Sequence, residues 1–248
     1  MYDKLTRNDN DADEIGTFFR FLIKEAKQRT PTNAHHVRKV EFAYDWYKLS
    51  FFTDWHTSGK VITLCFGLPD MVKDSIVKAV RTNGMKIPLV DPFALHAVLI
   101  EEVVALFDQA LWHWRHLVRN IEKVRVNSNR LSVSALTWGF QNRETAYPQP
   151  DYVAMHEIAR HAIHSSETLE MAVETLSHMI QEHQTWFDEN AAEDASKTMS
   201  LRPVRKSLRF QSTMLKCLHL RSKAIEERLR NEINLVPLHH TSRARESC

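Results

Sequence analysis

The pattern of hydrophobic residues changes near residue 90, where short apolar segments are followed by long stretches with helical spacing. Before that point, the apolar residues of the first segment recur three and four positions apart, which predicts an amphipathic helix over residues 12–26. Asp11 and Asp13 place negative charge at its start, and the stretch Thr30–Asn33 stops it. The apolar residues of this predicted helix are Ile15, Phe18, Phe19, Leu22, Ile23 and Ala26.

Strand patterns are concentrated in residues 40–66. Two alternating segments and one compact apolar run predict three strands, with a turn at Thr57–Gly59 before the third. Asp70 then caps a helix that ends at Asn83-Gly84, and residues 87–90 are predicted as a further short strand. The strand positions are Val40, Phe42 and Tyr44, then Tyr47, Leu49 and Phe51, then residues 61–66.

Three long helices are predicted after residue 90. Asp91-Pro92 is a strong start signal, because Asp favours the cap position and Pro the first helical position. The first helix is predicted to reach about Val126 and to break at residues 127–129. It is followed by a predicted loop over residues 131–150 and a second helix over residues 151–190. The third helix is predicted over residues 201–236, where Pro237 ends it.

These elements predict a helix-dominated α/β fold. It consists of a small β-sheet with packed helices, followed by long antiparallel helices and a coiled-coil-like stalk helix. The predicted organisation is a disordered tail (1–11), an α/β domain (12–200), the stalk helix (201–236) and a second disordered tail (237–248).

The last helix carries a seven-residue repeat in which seven of ten positions are apolar. Such a repeat is typical of a coiled-coil stalk and favours an oligomer, although a plain helical bundle gives a similar pattern. Gln211, Ser222 and Glu232 are its polar exceptions. The apolar positions are Leu201, Val204, Leu208, Leu215, Leu218, Ile225 and Leu229, of which the last four are the predicted oligomer seam.

The amino-acid composition disfavours several classes of protein. The chain of 248 residues contains only five glycines. This low count disfavours a sheet-rich enzyme or a phosphate-binding loop, because both usually need more glycine. Its three cysteines fit no CxxC pattern, so a reducing compartment without a disulfide framework is expected. The N-terminus has no secretory or transit character, and no stretch approaches the roughly 18–20 apolar residues of a membrane span. A cytoplasmic location is therefore expected.

Charge is distributed unevenly, although the net charge is only +2. Residues 151–200 contain ten acidic and two basic side chains, whereas residues 201–248 contain eleven Lys or Arg and four Glu. Two neighbouring helices with complementary faces explain this, and so does contact with a nucleic acid or a membrane surface. Phe210 is the single aromatic residue of the basic helix, so no nucleic-acid binding is expected.

The acidic helix presents Glu167, Glu170 and Glu174 on one side. These carboxylates can attract hydrated Mg²⁺, which keeps several waters and uses one or two protein carboxylates. The alternative is a solvated face, or one that pairs with the basic helix.

No motif specifies catalysis, and the chain is not expected to be an enzyme. The histidines His156 and His161 flank a segment similar to a zinc-protease helix, but their spacing of five places them about 140° apart around the helix. His161 and His164 are three apart and can share a metal, but no third ligand is evident. The histidines within residues 112–116 are assigned to an aromatic-rich core helix.

Three ordered segments resemble the CorA-type magnesium transporter superfamily in its fungal CorA-like branch. The stretch ERLRNEINL at Glu227–Leu235 carries the resemblance most strongly, and Arg228, Asn231 and Glu232 match its stalk motif. The resemblance implies an α/β cytoplasmic domain, helices that descend towards the membrane, pentameric assembly and Mg²⁺ bound between subunits. The three segments are residues 91–123, 156–183 and 210–236.

The family continues from its stalk into two membrane helices joined by a Gly-Met-Asn loop, whereas this sequence turns at Pro237 into a polar tail. The leading hypothesis is a pore-less cytoplasmic domain whose role is divalent-cation sensing or assembly, with Mg²⁺ as the implied cofactor. It would assemble with copies of itself or with full-length relatives. The alternatives are an interaction or scaffold protein without metal binding, and an unrecognised hydrolase that uses residues 156–164.

Overall fold

The computed structural model describes residues 2–9, 12–28, 42–83, 87–137, 152–191 and 195–246. Over these residues a four-stranded antiparallel sheet precedes four helices, which confirms the helix-dominated α/β class. The strands are β1 (Tyr2–Asp9), β2 (Ala12–Gln28), β3 (Phe42–His56) and β4 (Val61–Phe66), and the helices are α1 (Asp70–Asn83), α2 (Ala94–Thr137), α3 (Tyr152–Ala191) and α4 (Ala195–Glu246).

The helix predicted over residues 12–26 is wrong, because these residues belong to β2. Ile15, Phe19 and Ile23 are buried on one face of the strand, as a period of two requires. Phe18 and Leu22 lie on the other face and are 36% and 37% exposed. Since both faces carry apolar residues, the strand also shows apolar positions three and four apart and so imitates a helix.

The segment 1–11, expected to be a disordered tail, contains strand β1. This strand pairs with β2 from Tyr2 opposite Phe19 to Asp9 opposite Ala12. Its polar sequence carries no strand signal of its own. The hydrogen-bonding groups along the edge of β2 provide the template for its pairing.

The strand region 42–66 forms two strands, because the two alternating segments join into the single strand β3. The predicted turn before β4 is confirmed, and Gly59 adopts a φ of 82° there. Gly67, directly after β4, has a φ of 70°, and a Cβ at this position would lie 2.2 Å from the Lys48 carbonyl oxygen. Glycine is therefore required where β4 leaves the sheet.

Residues 87–90 form a turn, so the short strand predicted there is wrong. The Asp91 amide donates to the Pro88 carbonyl at 2.8 Å, which closes this turn. Pro88 has no N–H to contribute to a strand ladder, and its fixed φ suits a turn.

The helices confirm the predicted long elements, but two of them extend further. Helix α2 passes the break predicted at residues 127–129, and α4 begins before residue 201 and continues through Pro237 to Glu246. Residues 237–246, expected to be a disordered tail, are therefore helical. An interior proline removes one hydrogen bond and weakens a helix, but it does not fix where the helix ends.

The three long helices run up, down and up; α2 and α3 pack against the sheet, and α4 packs on these two helices. Asp91 at the start of α2 contacts His183 near the end of α3, so these two helices are antiparallel. Ser222 of α4 contacts Ser166 of α3, and Arg205 lies over Phe187, so α4 is antiparallel to α3. Strand β2 packs on both α2 and α3.

Among the described residues, no helix combines the length and the apolar character that a membrane span requires.

Candidate functional site

The three glutamates predicted to attract Mg²⁺ are all exposed on α3. Glu167, Glu170 and Glu174 follow one side of the helix at spacings of three and four. Within the described part of the chain, no group of three or more His, Cys, Asp or Glu side chains is arranged to hold a metal ion. A cation bound at these glutamates would therefore take its remaining ligands from water or from another molecule.

The four residues of the predicted oligomer seam lie in the chain's own core. Leu215 and Leu229 are 0% exposed, and Leu218 and Ile225 are nearly as buried. Helix α4 packs on both α2 and α3. The seven-residue repeat is thus filled within one chain, in the manner of a helical bundle.

The polar exceptions in the repeat are buried with it. Ser222 donates from its Oγ to the Ser166 Oγ at 2.9 Å, which joins α4 to α3. Gln211 and Glu232 are 5% and 6% exposed. The interruptions of the apolar stripe thus face the core, where at least Ser222 is paired with another helix.

The stalk motif residues occupy different environments. Arg228 donates from Nε and Nη2 to the two carboxylate oxygens of Glu122 on α2, at 2.8 and 2.6 Å. This hydrogen bonding raises the pKa of the Arg228 guanidinium. Asn231 is exposed and Glu232 is buried. Through Arg228, the motif connects α4 to α2 within the chain.

A polar centre that the sequence did not indicate lies where β2 passes α3. Lys24 is only 2% exposed, and its Nζ lies 2.5 Å from His161 Nδ1 and 3.2 Å from His164 Nδ1. The ammonium also lies 4.4 Å from the ring centroid of Tyr44 and 4.8 Å from that of Trp46, both on β3. These five residues are called the Lys24 centre below.

The strand register explains how the Lys24 centre forms. Lys24 is paired with Trp46, and Ala26 is paired with Tyr44, so both aromatic rings stand beside the lysine on one face of the sheet. The indole N–H of Trp114 on α2 donates to the Lys24 carbonyl at 2.8 Å and anchors the strand from the other helix.

Electrostatics at the centre favour a neutral His161. Burial lowers the pKa of His161 to about 4, with a further contribution from the charge of Lys24. Its Nδ1 therefore accepts a hydrogen bond at neutral pH, and the Lys24 ammonium donates it. Burial, followed by the charge of Arg160, lowers the pKa of Lys24, while Glu157 opposes this shift.

Glu25, the next residue, makes a second polar cluster on the opposite face of β2. Its carboxylate accepts hydrogen bonds from the Tyr47 hydroxyl at 2.5 Å and from the Gln109 amide at 2.9 Å. His113 Nδ1 lies 2.9 Å from the same carboxylate. Burial and the contact with Glu25 raise the pKa of Tyr47. Two consecutive residues thus bind β2 to α3 on one side and to α2 on the other.

Two further buried contacts involve histidines. His96 on α2 is 0% exposed, and its Nε2 lies 2.7 Å from Thr17 Oγ1 on β2. Asp91 accepts from the Phe93 amide at 2.8 Å, and its other oxygen lies 2.9 Å from His183 Nε2 on α3. The carboxylate of Asp91 therefore caps α2 and joins it to α3.

The Lys24 centre has elements of an activated amine. A lysine of lowered pKa beside a neutral histidine can become a nucleophile, and Glu157 Oε2 lies 3.7 Å from the outer nitrogen of His161. The lysine and His161 are nevertheless 2% and 4% exposed, so a substrate reaches them only if the packing opens. His156, the other histidine of the supposed zinc-protease motif, is exposed. In the observed arrangement, the centre ties β2 to α3.

The sequence contained one usable signal for these clusters. Lys24-Glu25 interrupts an otherwise apolar segment, and alternation along a strand would have placed Glu25 on the buried face with Ile23. The histidine partners are 88 to 140 residues away in sequence, since 113 − 25 = 88 and 164 − 24 = 140. No local pattern indicates such distant partners.

No protein-family model matches the chain. Over 203 residues, the chain is 28% identical to the notoamide biosynthesis cluster protein M′ of Aspergillus versicolor. The matched region covers 80% of this chain and 43% of that protein, so the chain spans less than half the length of this relative. The relative's name states no reaction.

Proposed function

We propose that the chain is a CorA-like cytoplasmic domain that acts in cation-dependent assembly within a larger protein or complex. The observation that carries this proposal is the coincidence of the resembling segments with the long helices. Residues 91–123 match the start of α2, residues 156–183 lie within α3, and residues 210–236 lie within α4. The small sheet precedes them, as the resemblance implies.

The match to a longer relative supports a role as one part of a larger protein. A domain of this kind requires surfaces for partners, and we assign this role to Glu167, Glu170 and Glu174, which form an exposed row on α3. Its carboxylates suit a hydrated Mg²⁺ that is shared with a second molecule. Because the seam residues of α4 pack within the chain, assembly would use this face of α3 instead of the α4 repeat.

A second candidate is an interaction or scaffold protein that binds no metal. The observation that favours it is that these glutamates are exposed side chains without a ligand cluster among the described residues. Exposed carboxylates are also what a solvated helix face presents.

Light scattering with Mg²⁺ and then with a chelator separates the two candidates. The proposal expects a mass that rises with Mg²⁺ and falls with the chelator. The triple variant Glu167→Gln, Glu170→Gln, Glu174→Gln should lose this response, whereas Glu189→Gln, an exposed glutamate elsewhere on α3, should retain it. A monomer under both conditions would contradict cation-dependent assembly and support the scaffold role.

A further inference from the structure

A groove of about 220 Å³ lies between α2 and α4 and shares no residue with the Lys24 centre. Its base is apolar and includes Leu111 and Ile225, both buried. Its sides carry Trp112, which is 38% exposed, together with Arg115 and Arg221. An apolar base with a few converging polar groups is the usual form of a small-molecule site.

The two arginines are held at the groove by the tryptophan. The guanidinium carbon of Arg115 lies 4.5 Å from the Trp112 ring centroid, and that of Arg221 lies 5.7 Å from it. Contact with an aromatic face positions a guanidinium and leaves its N–H donors available to a ligand. The two cationic groups are therefore gathered from different helices around one ring.

Neutralisation of these charges within the chain is incomplete. Arg115 has no carboxylate partner among the described residues, and Arg221 has only Asp108, at 3.6 Å between two well-exposed side chains. The third arginine of the groove, Arg228, is fully engaged with Glu122. The groove lining thus contains three guanidiniums and one carboxylate, Asp108. Because Glu122, outside the lining, already pairs with Arg228, the excess positive charge lies at Arg115 and Arg221.

We propose that this groove binds a small organic anion, namely a carboxylate or phosphate attached to a planar apolar group. Arg115 and Arg221 would bind the anionic group, because guanidinium groups form paired hydrogen bonds with carboxylate and phosphate oxygens. The apolar group would lie on the groove base, against Leu111, Ile225 and the exposed part of Trp112. Both halves of the ligand are needed, since the groove offers one charged side and one apolar base.

Calorimetric titration with phenyl phosphate tests the proposal. Inorganic phosphate lacks the apolar group, and benzyl alcohol lacks the charge. Saturable binding of phenyl phosphate is expected, with both control compounds about tenfold weaker or worse, since a charge-assisted contact or a buried ring contributes at least that much. The indole N–H resonance of Trp112, assigned with Trp112→Phe, should shift only with phenyl phosphate.

Two variants locate the binding. Arg115→Gln and Arg221→Gln should each weaken phenyl phosphate binding about tenfold, while Arg209→Gln, an exposed arginine of α4 outside the groove, should leave it unchanged. Urea midpoints equal to wild type would show that these surface changes leave the fold intact. The proposal is overturned if phenyl phosphate does not saturate, if benzyl alcohol binds equally well, or if both groove variants bind like wild type.

Discussion

Acid should destabilise this protein through two buried histidines, His96 and His161. Burial is the main cause that lowers the pKa of His96 to about 3, and the charge of His183 contributes further. The pKa of His161 is lowered to about 4, mainly by burial. Both are close to fully buried, at 0% and 4% exposure. In the unfolded chain each imidazole returns to an ordinary pKa near 6.5.

The sign of the effect follows from which state binds the proton. Below pH 6.5 the unfolded chain takes up protons at these histidines, while the folded protein does not until the pH approaches 4 and then 3. Their contribution to stability is therefore complete above about pH 6.5 and is lost as the pH falls. Below pH 6.5 each histidine costs about 1.4 kcal/mol per pH unit, and above pH 6.5 it costs almost nothing. The pair therefore costs about 3 kcal/mol between pH 7.5 and 5.5.

Urea unfolding at several pH values between 7.5 and 5.5 measures this loss. His96→Gln keeps a polar group near Thr17 but cannot titrate, so its free energy of unfolding should change with pH by about half as much as in wild type. His178→Gln, an exposed histidine of α3, is the matched control and should keep the wild-type slope. A His96→Gln variant with the full wild-type slope would refute the assignment of acid sensitivity to His96.

Two substitutions test the contacts between helices. Asp91→Ala removes the α2 cap and leaves His183 without its buried partner, so a loss of about 2–4 kcal/mol in urea unfolding is expected, while Asp91→Asn should lose less. Leu215→Ala should cost about 2–5 kcal/mol because the side chain is fully buried. Its effect should not depend on protein concentration if the seam lies within one chain; a loss that shrinks at high concentration would indicate an intermolecular seam.

The helical half of the fold was largely predictable from the sequence. Asp91-Pro92 and the apolar spacing of residues 151–190 predicted α2 and α3, because capping and periodicity are local properties. Strand β2 was not predictable in the same way. Its apolar residues on both faces satisfy a helical and a strand period at once, and only pairing with β3, which begins more than a dozen residues later, selects the strand.

The function of the seven-residue repeat was equally ambiguous. A repeat shows that one face of a helix is covered, but it does not show whether the cover comes from the same chain. In the folded chain α2 and α3 provide it. The sequence did contain one hint, since Ser222 within the repeat is suited to a specific polar partner, which proves to be Ser166.

The polar contacts of this molecule separate side chains that hold the fold together from side chains that a ligand can reach. The buried contacts of Lys24 and Glu25 connect the sheet to α3 and α2, so these side chains hold elements together and are closed to solvent. Groups available to partners lie on the outer surfaces of the long helices, and the groove arginines belong to two of them, Arg115 to α2 and Arg221 to α4. An anion that joins these two arginines would favour the packed arrangement of α2 and α4 by mass action. Ligand binding and the stability of the helical layer should therefore be linked, and at the same concentration phenyl phosphate should raise the urea midpoint of wild type more than that of Arg115→Gln.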